Sequence, residues 1–199
     1  NIKVLILEPD HSGVQRANAA IDKIISASLA SGHINPKAAA DRRNRLKVMM
    51  IQPDPDTQKL SNDNLANVDL VIEAVFEDFT SKKEILQAIE PALGPNAIIA
   101  TNTSYLNVNK LAACLDNPSR FVGLHFFVPA HIMKLLEIVK GSETSPAALA
   151  MGYAVAKSLG KMPVVAGVCD GFIGNRILAT LREAADTISV SYTHLTLPT

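Results

Sequence analysis

Cysteine is scarce in this chain: Cys114 and Cys169 are the only two in 199 residues. They lie far apart, with neither a CxxC pair nor a metal-ligand spacing, which argues against a disulfide scaffold and against a metal centre. Reduced thiols are the simplest reading. Net charge is equally lacking, since 19 basic residues balance 19 acidic ones. No global field therefore draws the chain to nucleic acid or to an anionic membrane, and any partner is recognised locally. No run approaches the roughly eighteen uninterrupted apolar residues of a membrane helix, and the first residues lack a charged-then-apolar signal pattern. The cytoplasm is the expected compartment. Also missing is a G-x-G-x-x-G turn after a first strand, as though the chain began about one βα unit too late for it.

What is present is apolar and periodic. A content of 48% apolar residues suits one domain, or a domain and a fraction, with a sizeable core. Lys3 to Leu7 reads as a strand, and Pro9 with an Asp10 cap starts a helix whose apolar positions run through Val14, Ile21 and Leu29 to a stop at Gly32. A polar, basic helix is expected from Pro36 to Lys47 and a short strand from Val48 to Ile51, followed by a loop with one helical turn from Pro53 to Asn64. Val68 to Val75 is nearly continuous in apolar residues, the mark of a strand buried on both faces.

Beyond it strand and helix alternate: helix Thr80 to Leu93, strand Ala97 to Thr101, helix Val108 to Leu115, strands Arg120 to Phe126 and Leu135 to Val139. Helix Ser145 to Leu159, strand Met162 to Ala166 and helix Gly171 to Ile188 complete the series. This predicts an α/β fold, a doubly wound, mostly parallel sheet. Residues 189–199 lose the helical period and turn β-prone, which suggests a domain boundary or a tail foreign to the rest.

Several side chains are placed where chemistry happens in such sheets. Glu8 ends the opening strand, where a carboxylate accepts from the vicinal hydroxyls of a ribose, although an acid starting a helix is more often a dipole partner or cap. Glu77 and Lys82 follow the apolar run and suit a bound ribose, or else form a solvated helix face. Thr101-Asn102-Thr103-Ser104 sets four short polar side chains at a strand end, more than one N-cap requires. His125 ends the run Phe121 to Phe127, and Glu137 sits inside Leu135-Leu136-Glu137-Ile138-Val139. Burying that carboxylate requires a donor, which Lys134 or His125 could supply. A carboxylate beside an imidazole fixes its tautomer and raises its basicity, which is how a general base is built. Gly171-Phe172-Ile173-Gly174-Asn175-Arg176 opens the last helix with a glycine turn that leaves the Asn175 amide free for a ligand.

Together these segments resemble the NAD-binding domain of the L-3-hydroxyacyl-CoA dehydrogenases, including the dehydrogenase part of bifunctional fatty-acid oxidation proteins. The likeness runs from about Val4 to Ile188 and is densest in Val71 to Asp78, Ala100 to Ser104, Gly123 to Phe127, Met133 to Glu137 and Gly171 to Arg176. It implies a Rossmann-like domain over residues 1–168 lacking its first βα unit, the first helix of a helical C-terminal domain over 169–188, and a tail over 189–199.

The resemblance also implies NAD as cofactor, an acyl-CoA as substrate, and a homodimer formed through the rest of the C-terminal domain. His125 becomes the base that takes the C3 hydroxyl proton, Glu137 its orienter, Ser104 a hydrogen-bond donor to the reacting oxygen that also touches the nicotinamide side, and Asn175 a substrate contact. Glu8, Glu77 and Lys82 fall on cofactor-binding positions. Relatives carry Ser or Asn after His-Phe-Phe, whereas Val128 stands here. With that residue, no glycine-rich loop and little of the helical domain, the 199-residue polypeptide is expected to be inactive or nearly so. Two rivals are a non-catalytic nucleotide-binding or dimerisation module and another β-hydroxyacid dehydrogenase; the latter typically uses a catalytic lysine where this chain has His125.

Overall fold

The computed structural model describes residues 2–51 and 65–191. The chain divides into two compact units, residues 1–60 and 61–199.

In the first unit, β1 (Val4–Glu8) pairs in parallel with β2 (Leu46–Met50), Val4 opposite Leu46 and Glu8 opposite Met50. Two parallel neighbours need a crossover, supplied here by α1 (His11–Ala30) and α2 (Pro36–Asn44). Asp10 caps α1, its carboxylate accepting from the Gly13 amide at 2.6 Å, and Gly32 follows the helix at φ 73°. Asn35 caps α2, with Pro36 in its first turn. The basic helix stops at Asn44, three residues short of the expected end, and β2 starts two residues early at Leu46. Pairing with β1 claims Leu46 and Lys47 for the ladder. The expected loop from Pro53 to Asn64 lies outside the described residues.

The second unit holds a five-stranded sheet in the order β3-β4-β5-β6-β7. Its strands are β3 (Leu70–Glu73), β4 (Ile98–Thr101), β5 (Phe121–Phe126), β6 (Leu135–Lys140) and β7 (Met162–Gly167). All neighbours are parallel except β5 and β6. The helices are α3 (Phe79–Ile89), α4 (Val108–Ala112), α5 (Pro146–Ser158) and α6 (Gly174–Ser191). The chain is thus α/β with mostly parallel pairing, as expected, though its described strands form two sheets, one in each unit.

The core follows the two-residue period of the strands. Ile98, Ala100, Val122, Leu124, Leu136 and Ile138 point to one face and bury themselves with Ala148 and Ala156 of α5. Each fully buried Leu or Ile there contributes roughly 1.5–3 kcal/mol. Val108 of α4 packs on the opposite face, close enough to Gly123 that a Cβ there would lie 3.4 Å from it. Gly123, His125, Glu137 and Val139 belong to that second face.

Further expectations change in the second unit. The run Val68 to Val75 shortens to the four-residue strand Leu70–Glu73 with Ile72 half-exposed, while β4 is buried throughout. The last helix begins at Gly174 instead of Gly171, because Gly171 and Phe172 adopt left-handed backbone at φ 66° and 49° and form the turn before it. It continues to Ser191, past the loss of period at residue 189; residues 192–199 lie outside the described set.

Candidate functional site

β5 and β6 run antiparallel with His125 directly opposite Glu137. Directly opposed residues share a face at about 4.5–5.5 Å between Cβ atoms. The side chains meet: His125 Nδ1 and Glu137 Oε2 are 2.6 Å apart, and both residues are buried, at 3% and 0% exposure. Lys134, the alternative partner for Glu137, is not used; its backbone carbonyl accepts from the Met162 amide instead.

The other oxygen of Glu137 is also engaged. Oε1 accepts the backbone amides of Ile173 and Gly174, each at 2.9 Å, where α6 begins. The helix start satisfies a buried acceptor, and the buried acceptor satisfies two helix donors that have no intrahelical partner. The left-handed pair Gly171-Phe172 turns the chain to make this approach. Gly174 is required in the same place, since a Cβ there would lie 2.6 Å from Phe127 Cζ. Phe127 and Phe172 flank the imidazole, with ring centroids 4.7 and 5.6 Å from it.

With an acceptor at Nδ1, the ring proton of neutral His125 sits on Nδ1 and the lone pair on Nε2. Among the described residues nothing hydrogen-bonds Nε2. The arrangement is an oriented base with one open nitrogen.

A second polar cluster lies at the ends of β3 and β4. Glu73 is buried and accepts three hydrogen bonds: from the Val75 amide at 2.7 Å, Lys82 Nζ at 2.8 Å and Thr101 Oγ1 at 2.7 Å. Lys82 is 1% exposed, donates also to the Val75 carbonyl at 3.1 Å, and lies 3.4 Å from Glu77 Oε2. Glu77 Oε1 accepts from Thr103 Oγ1 and from the amides of Ser104 and Tyr105. Burial pushes the Glu77 carboxyl up; those three donors and the Lys82 ammonium outweigh it and hold the group below the ordinary carboxylate value.

The four polar residues at the end of β4 are now separable. Thr101 serves Glu73, Asn102 accepts the Phe126 amide and ties β4 to β5, Thr103 serves Glu77 and also accepts the Leu106 amide, and only the Ser104 hydroxyl makes no hydrogen bond among the described residues. The Asn175 amide, on the first turn of α6, likewise makes none there. In the other unit, Glu8 ends β1 with its carboxylate over Gly13, where a Cβ would lie 2.7 Å from Glu8 Oε2.

The second unit therefore brings Glu77 and Lys82 into one cluster and His125 and Glu137 into another. Glu73, which no reading of the sequence assigned a role, proves to be the hub of the first. The signal that singled out Glu137, a carboxylate within an apolar run, was present in Val71-Ile72-Glu73-Ala74-Val75 too.

Residues 1–169 match the family model described as 3-hydroxyacyl-CoA dehydrogenase, NAD binding domain. The chain belongs to this family. The guinea pig (Cavia porcellus) peroxisomal bifunctional enzyme is 36% identical over 182 residues, 92% of this chain and 24% of that protein. The fatty acid oxidation complex subunit alpha of Ectopseudomonas oleovorans is 34% identical over 88% of this chain and 23% of its own length. This member of the 3-hydroxyacyl-CoA dehydrogenase family thus spans about a quarter of these relatives. Among solved structures, the 3-hydroxybutyryl-CoA dehydrogenase of Escherichia coli superposes with a TM-score of 0.85 at 29% identity, covering 96% of this chain and 39% of that one.

The residues present fit the ribose portions of NAD, the family's cofactor. Glu77 keeps Oε2 free of hydrogen bonds while Oε1 is saturated, and Ser104 offers an uncommitted hydroxyl. The sequence contains no G-x-G-x-x-G turn for the pyrophosphate.

Proposed function

We propose that this domain carries the base and part of the nucleotide site for NAD-dependent oxidation of a 3-hydroxyacyl-CoA to the 3-ketoacyl-CoA, in fatty-acid β-oxidation or a related pathway. The observation that carries this reading is the buried His125 Nδ1 to Glu137 Oε2 contact with Nε2 left open. His125 Nε2 takes the proton of the C3 hydroxyl, a step typically contributing a factor of about 10²–10⁴. Glu137 acts through the imidazole, holding its tautomer and stabilising the imidazolium as it forms. Ser104 donates its hydroxyl to the C3 oxygen and borders the nicotinamide, and Asn175 contacts the substrate. NAD, when bound, supplies the hydride acceptor. Glu77 accepts from one ribose of the cofactor with Lys82 behind it, and Glu8 accepts from the adenosine ribose.

The same reading assigns residues 1–168 to the NAD-binding domain, 169–188 to the start of a helical C-terminal domain and 189–199 to a tail. An acyl-CoA is the substrate, a second copy of the chain the partner, and the cytoplasm the compartment. Among the described residues no helix is long and apolar enough to cross a membrane.

The test is NADH formation from 3-hydroxybutyryl-CoA by the protein that carries this chain, beside its His125→Ala variant. Activity abolished in the variant supports the assignment, and wild-type turnover in the variant removes it. Val128, 89% exposed and unable to donate or accept through its side chain, favours a second reading as a nucleotide-binding module without catalysis. NADH binding without turnover would select that reading.

A further inference from the structure

Two carboxylates, Glu73 and Glu77, compete for one ammonium. Lys82 Nζ is 2.8 Å from Glu73 Oε1 and 3.4 Å from Glu77 Oε2, and only the first contact is a hydrogen bond. Glu73 is buried and Glu77 is the member of the trio that reaches the surface, its side chain 36% exposed against 3% for Glu73 and 1% for Lys82. A buried ion pair is weak evidence for stability, because desolvating both groups offsets their attraction. Its geometric effect is plain: while Glu73 holds Lys82, the outer oxygen of Glu77 stays uncommitted.

We propose that Glu73 is a positioning residue whose buried carboxylate retains the Lys82 ammonium and thereby keeps Glu77 Oε2 open to the vicinal hydroxyls of a ribose. The ligand class rests on the cofactor reading above; the competition between the carboxylates does not. Every other acceptor position near the trio is accounted for. Glu77 Oε1 takes three donors, Glu73 Oε1 takes the Val75 amide beside Lys82, and Glu73 Oε2 takes Thr101. The neighbouring acid Asp78 accepts from the Ser81 amide as the cap of α3. Removing the charge of Glu73 leaves Lys82 with one anionic partner, so the ammonium closes on Glu77 Oε2 and occupies it.

Two variants move this balance in opposite directions. Glu73→Gln keeps the shape and loses the charge. Thr101→Val removes a donor from Glu73 Oε2, which strengthens the claim of Glu73 on Lys82. Carbon-13 NMR titration of the Glu77 side-chain carboxyl reads the result without any cofactor. The midpoint is expected to fall by roughly 0.5 in pH in Glu73→Gln, where Lys82 moves closer and a neighbouring negative charge is lost, and to rise in Thr101→Val, where Lys82 moves away. A purely packing role for Glu73 would loosen the Glu77 donors and raise the midpoint in both. No shift, or shifts of the same sign, overturn the proposal; Glu73→Asp, which keeps the charge but draws it back from Lys82, is expected to lower the midpoint, and a rise there overturns the proposal whether or not Glu73→Gln folds. NADH titration of the same proteins adds the ligand: the dissociation constant is expected to rise about tenfold in Glu73→Gln. Wild-type protein that does not bind NADH removes the cofactor reading and leaves the NMR result to judge Glu73.

Discussion

The two polar clusters of the second unit use the same components to opposite ends. At the β5-β6 pair one carboxylate meets one imidazole, and every oxygen of Glu137 is taken. At the ends of β3 and β4 two carboxylates share one ammonium, and one oxygen, Glu77 Oε2, is left with only a distant ion pair. Saturation fixes an orientation; a shortfall of donors leaves an acceptor for something else to bind. The first arrangement suits moving a proton at a defined atom, the second suits holding a polar ligand at an edge.

The comparison breaks most readily at the imidazole. His125→Ala should lower kcat by about 10³-fold while leaving the NADH dissociation constant within a factor of about two, because the nucleotide-side carboxylate is untouched. Steady-state kinetics beside NADH titration checks this, and a parallel loss of both would merge the two clusters into one. Glu137→Gln should cost about 100-fold in kcat, since an amide donates as readily as it accepts and no longer dictates which ring nitrogen holds the proton. The proportion of the two His125 tautomers by nitrogen-15 NMR is the accompanying measurement.

Gly174→Ala tests the saturation itself. Its Cβ would collide with Phe127, so urea denaturation should show a loss of about 1–3 kcal/mol. A smaller effect belongs to the open cluster. Glu77 has a lowered folded value, so its contribution to stability is full above the ordinary carboxylate range and lost as pH falls through that lower value. Melting curves of wild type and Glu77→Gln should therefore diverge near neutrality and converge as the pH falls from the ordinary carboxylate range through the lowered Glu77 value. Last, Leu181→Ser in α6, whose residues 176–189 are all exposed, should change stability by less than about 0.5 kcal/mol; a larger loss on urea denaturation would show that a partner covers that helix in the sample.

Much of this was legible in the sequence. Asp10 and Gly32 bracket α1 because caps act locally, and the alternation of apolar strands with helical periods needs no knowledge of neighbours. His125 and Glu137 were legible as a pair because a carboxylate among Leu and Ile must find a donor. Less legible was anything that depends on who lies beside whom. β3 looked buried on both faces and leaves Ile72 half-exposed; Lys82 looked like an exposed ligand and is nearly inaccessible; three of the four polar residues at the end of β4 answer to neighbours rather than to a ligand. The backbone amides that hold Glu137 were invisible, since Ile173 and Gly174 offer the same N–H as any residue and only the turn at Gly171 and Phe172 aims them.

The opposition of His125 and Glu137 across β5 and β6 has a consequence for how the chain tolerates change in length. Residues 127–134 join the two strands, and facing alternates with every residue along β6. Adding or removing one residue in that connection, if the ladder slips to absorb it, sets Leu136 or Ile138 against the imidazole and turns Glu137 toward α5, into the apolar layer. A change of two restores the facing but moves the carboxylate about 7 Å along the strand. Phe127 in that connection is tied to the imidazole and to Gly174, whereas Val128 and Ile132 are exposed, and any change in its residue count must be absorbed by the loop alone.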